Sequence, residues 1–326
     1  MNVLIFGGTG FVGLNIADAL LARGHAVTLF DRAGLPAAAQ RAYAAHGDRL
    51  TMVQGDVLDR DAVEAAIAGG IDAIVMGAAI TASAERDATD PETTLQVNML
   101  AQVPILMAAR RFGVKRVINL SSAGAYGATA FREKLLDEEM PCDPVSLYAI
   151  TKYGSEKVAS RLAALWNFDI VSVRLSGVFG PWERATGVRD TLSPQMQILE
   201  ARRHGAEAIL SRPGIKDWVY APDVAEALAL LLEADRLQHR LYNISTGVEW
   251  SALQWGEALA ALDPGFVCRL SKDGEATNIN LHGDIDRAPL SVSRLEQEFG
   301  WRARYGCAES AADLDAWSAQ HEEGLT

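Results

Sequence analysis

Two tyrosine–lysine pairs at four-residue spacing, Tyr148 with Lys152 and Tyr153 with Lys157, are the most chemically suggestive residues of this sequence. In a helix, residues four apart share a face, so each ammonium can stand beside its phenol and favour the phenolate. A phenol tuned this way takes a proton from an alcohol, or returns one, while hydride moves to or from a nicotinamide. The same spacing also serves ordinary contacts on helix surfaces. The two pairs are offset by five residues, about 140° of helix rotation, so both cannot face one site. Spacing alone does not choose between them.

Hydride chemistry needs a bound carrier, and a second motif offers a place for one. Gly7-Gly8-Thr9-Gly10-Phe11-Val12-Gly13 follows the apolar run at residues 3–6 and precedes a helical pattern. Glycines in that position let the backbone turn sharply and approach a pyrophosphate, which then rests on the helix N-terminus. Outside the strand–helix context they would only pack helix on sheet; within it they predict a dinucleotide site at Gly7, Thr9, Gly10, Phe11, Val12 and Gly13. Asp31 ends the second predicted strand, 18 residues after Gly13. Its carboxylate can accept hydrogen bonds from ribose hydroxyls and would repel a 2′-phosphate, which favours NAD over NADP. Arg32 next to it works the other way. Asp56, after the third strand, is a candidate adenine contact or simply a solvated strand-end carboxylate.

Positioning these residues requires alternating strands and helices, and the sequence predicts them. Strands are expected near residues 3–6, 26–30, 50–53, 73–76, 116–120, 170–174 and 241–244, with helical patterns between most of them. That order implies right-handed crossovers and an α/β fold, a doubly wound parallel sheet. One helix opens at Asp90-Pro91 and runs to about Phe112, with Pro104 inside it predicting a kink or local break. Another opens after Pro144 and carries both tyrosine–lysine pairs. A further helix is expected over residues 223–234, with 225–232 as its buried face. Beyond Val178 the alternation fades, which predicts a smaller C-terminal substrate lobe. The expected division is 1–176 plus about 217–245 for the dinucleotide domain, and 177–216 plus about 246–326 for the lobe.

With 49% hydrophobic residues, the chain can bury a sizeable core. A formal charge of -12, with no runs of Lys or Arg, disfavours nucleic acid and anionic membranes as partners and favours a small molecule. No uncharged apolar stretch of about 20 residues predicts a spanning helix. The first residues read as a strand, with no basic region or cleavage site, and Cys142, Cys268 and Cys307 are widely spaced. A cytoplasmic protein with reduced thiols and no metal site is predicted. His46, His204 and His282 read as surface residues. Trp182, Trp218 and Trp250 read as packing residues.

Taken together, these motifs resemble the extended short-chain dehydrogenase/reductases, also called NAD-dependent epimerase/dehydratases, over nearly the whole chain. The resemblance rests on residues 7–13, Asp31, Gly55-Asp56-Val57, Ala78-Ala79, Asn98, Ser121-Ser122-Ala123-Gly124-Ala125-Tyr126-Gly127, and Tyr148-Ala149-Ile150-Thr151-Lys152 with Glu156. It continues through Arg174 with Gly180-Pro181, and Asp217-Trp218-Val219-Tyr220 with Asp223. It implies a Rossmann-type sheet, Tyr148 as acid/base, Lys152 as its partner and nicotinamide-ribose ligand, and Ser122 as hydrogen-bond donor to the reacting oxygen. Tyr153 would be structural. Val57, Ala78, Ala79, Asn98 and Val178 join the implied cofactor contacts. The resemblance also implies that apolar surface along residues 95–109 and 158–165 forms a helical-bundle homodimer; each stretch could equally cover the sheet of a monomer.

Departures from the family pattern narrow the reaction. Dehydratases and decarboxylases of this type resemble one another in carrying acidic residues just after the catalytic Ser or Thr, where this chain has Ala123-Gly124. Nucleotide-sugar enzymes commonly carry an Asn where this chain has Gly177. The sequence therefore puts first a dehydrogenase oxidising a hydroxyl of a sugar or sugar acid with NAD. Arg184 and Arg189 are offered to an anionic group on the substrate, or to surface ion pairs, and Gly177 lines that site. The alternative is an epimerase of a sugar or nucleotide sugar that retains its NAD. A non-catalytic dinucleotide sensor is the third reading, opposed by the intact Ser122, Tyr148 and Lys152.

Overall fold

Residues 1–188 and 191–321 are described by the computed structural model. Seven strands make the main sheet: β1 (Asn2–Phe6), β2 (Ala26–Asp31), β3 (Leu50–Gln54), β4 (Ala73–Met76), β5 (Arg116–Ser122), β6 (Ile170–Leu175) and β7 (Leu241–Ile244). Their spatial order is β7-β6-β5-β4-β1-β2-β3, and every pairing is parallel. A parallel sheet covered on both faces needs strands that are apolar throughout, and β4 and β6 are buried along their whole length. Alternate residues feed opposite faces. Val3 and Ile5 pack with Leu14 and Leu20 of the helix Phe11–Ala22 and with Val224 and Leu228 of the helix Ala221–Glu233. Leu4 and Phe6 pack on the other face with Val63, Ile105, Leu106 and Ala159.

The expected helix breaks have identifiable causes. Asp90 caps the N-terminus of Pro91–Leu95 by accepting from the Thr93 N–H at 3.3 Å, and Pro91 occupies the first turn. Pro104 lies near the start of Gln102–Arg111, and the irregularity it predicts falls just upstream, as the π-helical turn Gln96–Leu100. There the Ala101 N–H reaches back five residues to the Gln96 carbonyl at 2.8 Å. Such an insertion absorbs the missing proline donor without ending the helix. The helix expected from residue 223 starts at Ala221, because Pro222 is compatible with a first turn.

A separate apolar cluster lies beyond β6. Phe179, Met196, Leu199, Leu210, Trp218, Trp255, Leu259 and Leu314 are its buried centre, gathered from residues on both sides of β7. The chain also returns to the sheet: Leu295 and Trp301 bury with Tyr242 and Ile244 of β7 rather than with the second cluster. No helix among the described residues is long and apolar enough to cross a membrane. Between β1 and β4 the sheet order reverses direction, and at such a switch point a crevice opens beyond the carboxyl ends of the strands.

Candidate active site

The helix Leu147–Trp166 carries both tyrosine–lysine pairs on different sides. Ser146 caps it, accepting from the Ala149 N–H at 3.2 Å, which sets the rotation of its first turn. Tyr148 and Lys152 line a crevice of about 310 Å³ together with Ser122, whereas Tyr153 and Lys157 do not. Lys157 stacks its ammonium over the Tyr153 ring at 4.9 Å instead, the ordinary surface contact. The choice that spacing leaves open is thus made by what the helix faces.

That helix is locked to the end of β5 from below. Lys152 Nζ donates to the Leu120 carbonyl at 2.9 Å and lies 5.9 Å from the centre of the Tyr148 ring. Burial pushes the Lys152 ammonium down to about 8, against the opposing pull of Glu156. One turn on, Glu156 accepts from Arg174 Nε at 2.9 Å and Nη2 at 2.7 Å, and from Ser121 Oγ at 2.5 Å. This buried pair ties the helix to β5 and β6 at once. Ser122 ends β5, and its Oγ accepts from the Gly124 N–H at 3.1 Å, which holds the hydroxyl at the crevice rim.

The glycine-rich loop forms the floor of the adjoining groove. Gly7 adopts a φ of 75°, and a Cβ on Gly13 would stand 2.4 Å from the Gly7 carbonyl, so the helix meets the loop closer than any other residue allows. A Cβ on Gly10, by contrast, would meet only the Gly7 carbonyl, at 3.1 Å; the groove above it is open. The helix Phe11–Ala22 has no side-chain cap and no acidic residue in its first turn, so the positive end of its dipole favours an anion there. These residues fit a dinucleotide pyrophosphate.

Asp31 stands at the end of β2, accepting from the Thr9 N–H and the Ala33 N–H, each at 3.2 Å. Together with Arg32, Asp56, Val57, Ala78 and Ala79 it lines a cavity of about 190 Å³ that shares Gly7, Gly10, Gly77 and Ala79 with the Tyr148 crevice. The two are halves of one groove. Arg32 turns outward toward Asp56, at 3.9 Å. Asn98 is turned inward: its side chain clamps Ile80 through both backbone groups, at 2.8 and 2.9 Å, and donates to Thr151 Oγ1 at 3.2 Å. Val178 lines the Tyr148 half.

On the far wall, Gly177 lies beneath the Trp218 ring, and Lys216 Nζ sits 4.4 Å from the centre of that ring. Burial pushes the Lys216 ammonium down to about 8, helped by nearby Arg287 and opposed by Asp217. Asp217, fully buried, accepts from Ser176 Oγ, the Leu290 N–H and Arg287 Nη2, each at 2.8 Å, and so fixes the backbone carrying Lys216 and Trp218. Lys216 carried no signal in the sequence beyond standing one place before Asp217. Arg184 lies between the two halves, over Thr9, rather than deep on the Trp218 wall. Arg189 is outside the described residues. Trp182, Trp218 and Trp250 are buried, and Trp218 also lines the Tyr148 crevice. His282 is exposed at the crevice edge.

No aspartate or glutamate lines the Tyr148 crevice among the described residues. The arrangement can hold a hydroxyl between Ser122 and Tyr148 and move its proton.

A family model described as the NAD dependent epimerase/dehydratase family matches residues 3–245. A UDP-glucose 4-epimerase of Mycolicibacterium smegmatis is 27% identical over 317 residues, covering 96% of each chain. A second UDP-glucose 4-epimerase, of Bacillus subtilis, is 25% identical and covers 99% of this chain and 98% of its own. Among solved structures, a UDP-glucose-4-epimerase from Stenotrophomonas maltophila with bound NAD and formylated UDP-arabinopyranose superposes with a TM-score of 0.81, at 24% identity and 99% coverage of both chains.

Proposed function

The chain belongs to the NAD dependent epimerase/dehydratase family, and from that premise we propose that it is an epimerase of a nucleotide sugar that keeps NAD bound through its catalytic cycle. The observation that carries this reading is the convergence of Ser122, Tyr148 and Lys152 on a crevice continuous with the glycine-rich groove. Bound NAD supplies the acceptor for hydride from the carbinol carbon and the donor that returns it. Tyr148, as phenolate, takes the hydroxyl proton and later gives it back. Lys152 stabilises that phenolate by its charge, and Ser122 donates to the reacting oxygen. Gly7, Thr9, Gly10, Phe11, Val12 and Gly13 hold the pyrophosphate side, with Asp31 toward the adenosine ribose.

The sequence alone puts first a dehydrogenase of a sugar or sugar acid, with Gly177 weighing against a nucleotide sugar. Two observations move the balance to the epimerase. Two relatives that match along almost the full length are UDP-glucose 4-epimerases, and Lys216 lines the crevice beside Gly177, where its ammonium can take an anion. Ala123-Gly124, standing where the dehydratases and decarboxylases that the chain resembles carry acidic residues, opposes those two reactions.

The testing experiment incubates the purified protein, with its retained nucleotide quantified, with UDP-hexoses and with free uronic and aldonic acids. Interconversion of epimers without net NADH supports the proposal. Steady NADH release with a free acid, and none of that interconversion, replaces it with the dehydrogenase. We also read Leu100, Met107 and Leu165, each more than half exposed, as part of a homodimer face beside an open hollow of about 920 Å³. Light scattering at micromolar concentration tests it.

A further inference from the structure

We propose that Arg184 is a phosphate-binding residue of the cofactor site, and that the stretch carrying it fastens NAD into the groove. The inference rests on the placement of NAD given under the proposed function. After β6 the chain turns at Gly180, with φ of 140°, and at Trp182, with φ of 66°. Left-handed backbone is costly for so bulky a residue and persists only where its surroundings over-determine it. Here they do. Trp182 is 1% exposed and its Nε1 donates to Asp18 at 2.7 Å, while Asn15 donates to the Pro181 carbonyl at 2.8 Å. Both anchors come from the helix Phe11–Ala22, so the strained turn is registered against the helix whose N-terminus faces the groove.

That turn delivers Arg184 over the glycine-rich loop. Its Nη2 donates to the Thr9 carbonyl at 2.8 Å and its Nη1 to the Trp182 carbonyl at 3.4 Å. A guanidinium has five N–H donors, so these two bonds leave the rest for a ligand. Asp31 acts on its charge only at a distance, and its half-burial disfavours the cation, a deficit an adjacent phosphate would reverse. Among the described residues, the other side-chain cations lining the two halves are directed elsewhere: Lys152 to the Leu120 carbonyl, Arg32 toward Asp56, and Lys216 over the Trp218 ring on the far wall.

The same stretch is fastened on the opposite side of the switch point. The Thr81 N–H donates to the Val188 carbonyl at 2.8 Å, and Arg86 Nη2 to the Gly187 carbonyl at 2.8 Å. Residues 181–188 therefore bridge the segments that follow β1 and β4, crossing the groove with Arg184, Thr186 and Val188 lining both of its halves. A dinucleotide in the groove lies under this crossing. An epimerase must keep its NAD between the two hydride transfers, and a crossing with a cation over the phosphates serves that need.

Isothermal titration of nucleotide-stripped protein with NAD, ADP and adenosine tests the assignment. In Arg184→Ala, affinity for NAD and ADP is expected to fall about tenfold to a hundredfold, the loss of one charge-assisted contact, while adenosine binds as in the wild type. Arg184→Lys is expected to recover part of the loss. Nucleotide retained through gel filtration should fall in parallel in Arg184→Ala. Unchanged ADP affinity, or an equal loss for adenosine, overturns the phosphate assignment; the latter would mean that Arg184 merely holds Thr9. Wild-type protein that binds neither NAD nor ADP overturns the cofactor placement itself.

Discussion

Gly177→Ala should destabilise the protein and weaken substrate binding, through one identifiable collision. The backbone at Gly177 has no positive φ, so an added methyl is not refused on conformational grounds. It is refused by Trp218: the new Cβ would lie 2.5 Å from Cε3, 2.6 Å from Cζ3 and 3.2 Å from Lys216 Cδ. Carbon contacts settle near 3.5–4.0 Å, so the ring must retreat by about 1 Å. Trp218 is 2% exposed and its Nε1 donates to the Gly214 carbonyl at 3.2 Å, so retreat costs packing and that bond. Overpacking costs about 1–3 kcal/mol and the hydrogen bond about 1 kcal/mol, a sum of roughly 2–4 kcal/mol. Urea unfolding of Gly177→Ala, Trp218→Leu and the double variant forms the test. Relief of the clash predicts a double variant more stable than additivity by at least about 1 kcal/mol. Because the methyl also reaches Lys216, KM should rise more than kcat falls. A single variant within about 0.5 kcal/mol of wild type, or strict additivity, would refute the reasoning. Gly177→Asn meets the same ring and should not gain affinity for nucleotide sugars.

Tyr148→Phe should abolish turnover while NAD affinity stays within about twofold, and Tyr153→Phe should leave kcat unchanged; the reverse outcome would mean the wrong tyrosine faces the cofactor. Lys152 has a pKa of about 8 in the folded protein, below that of an unfolded lysine, so the folded state binds fewer protons across the interval between them. Stability should therefore rise from pH 8 toward pH 10, by something on the order of 3 kcal/mol, and Lys152→Met should lack that rise in urea titrations at the two pH values. The same variant should move the rising limb of the kcat/KM profile upward by a pH unit or more, since the phenolate loses its cation. Glu156→Gln leaves Arg174 buried without its countercharge and should cost about 3–5 kcal/mol, read by chemical unfolding. Asp31→Ala should relax discrimination against NADP, measured as the ratio of the two dissociation constants; an unchanged ratio would remove Asp31 from the ribose site.

What the sequence disclosed and what it withheld separate along a physical line. β4 and β6 were legible because strands buried on both faces must be apolar throughout, and the cap at Asp90-Pro91 because it is made within four residues. The glycine loop was legible because its neighbours in sequence are its neighbours in space. Choosing Tyr148 over Tyr153 from the residues alone was impossible, since the choice depends on which helix face meets the end of β5, some thirty residues away. Resemblance to a family bridged that gap.

Lys216 and Arg184 mark where even resemblance ran short. A single lysine before an aspartate has no periodicity; its meaning comes from Trp218 beside it and from the contacts that Ser176, Arg287 and Leu290 make to Asp217. Arg184 read as an anion ligand, but not for which anion. Its address is written in the left-handed turn at Trp182 and in two hydrogen bonds from the first helix, contacts between residues more than 160 positions apart. A short strained turn, held by distant partners, moves a cation from the substrate wall to the cofactor loop. Residue type thus tells what a group can bind, and only long-range packing tells which ligand it meets.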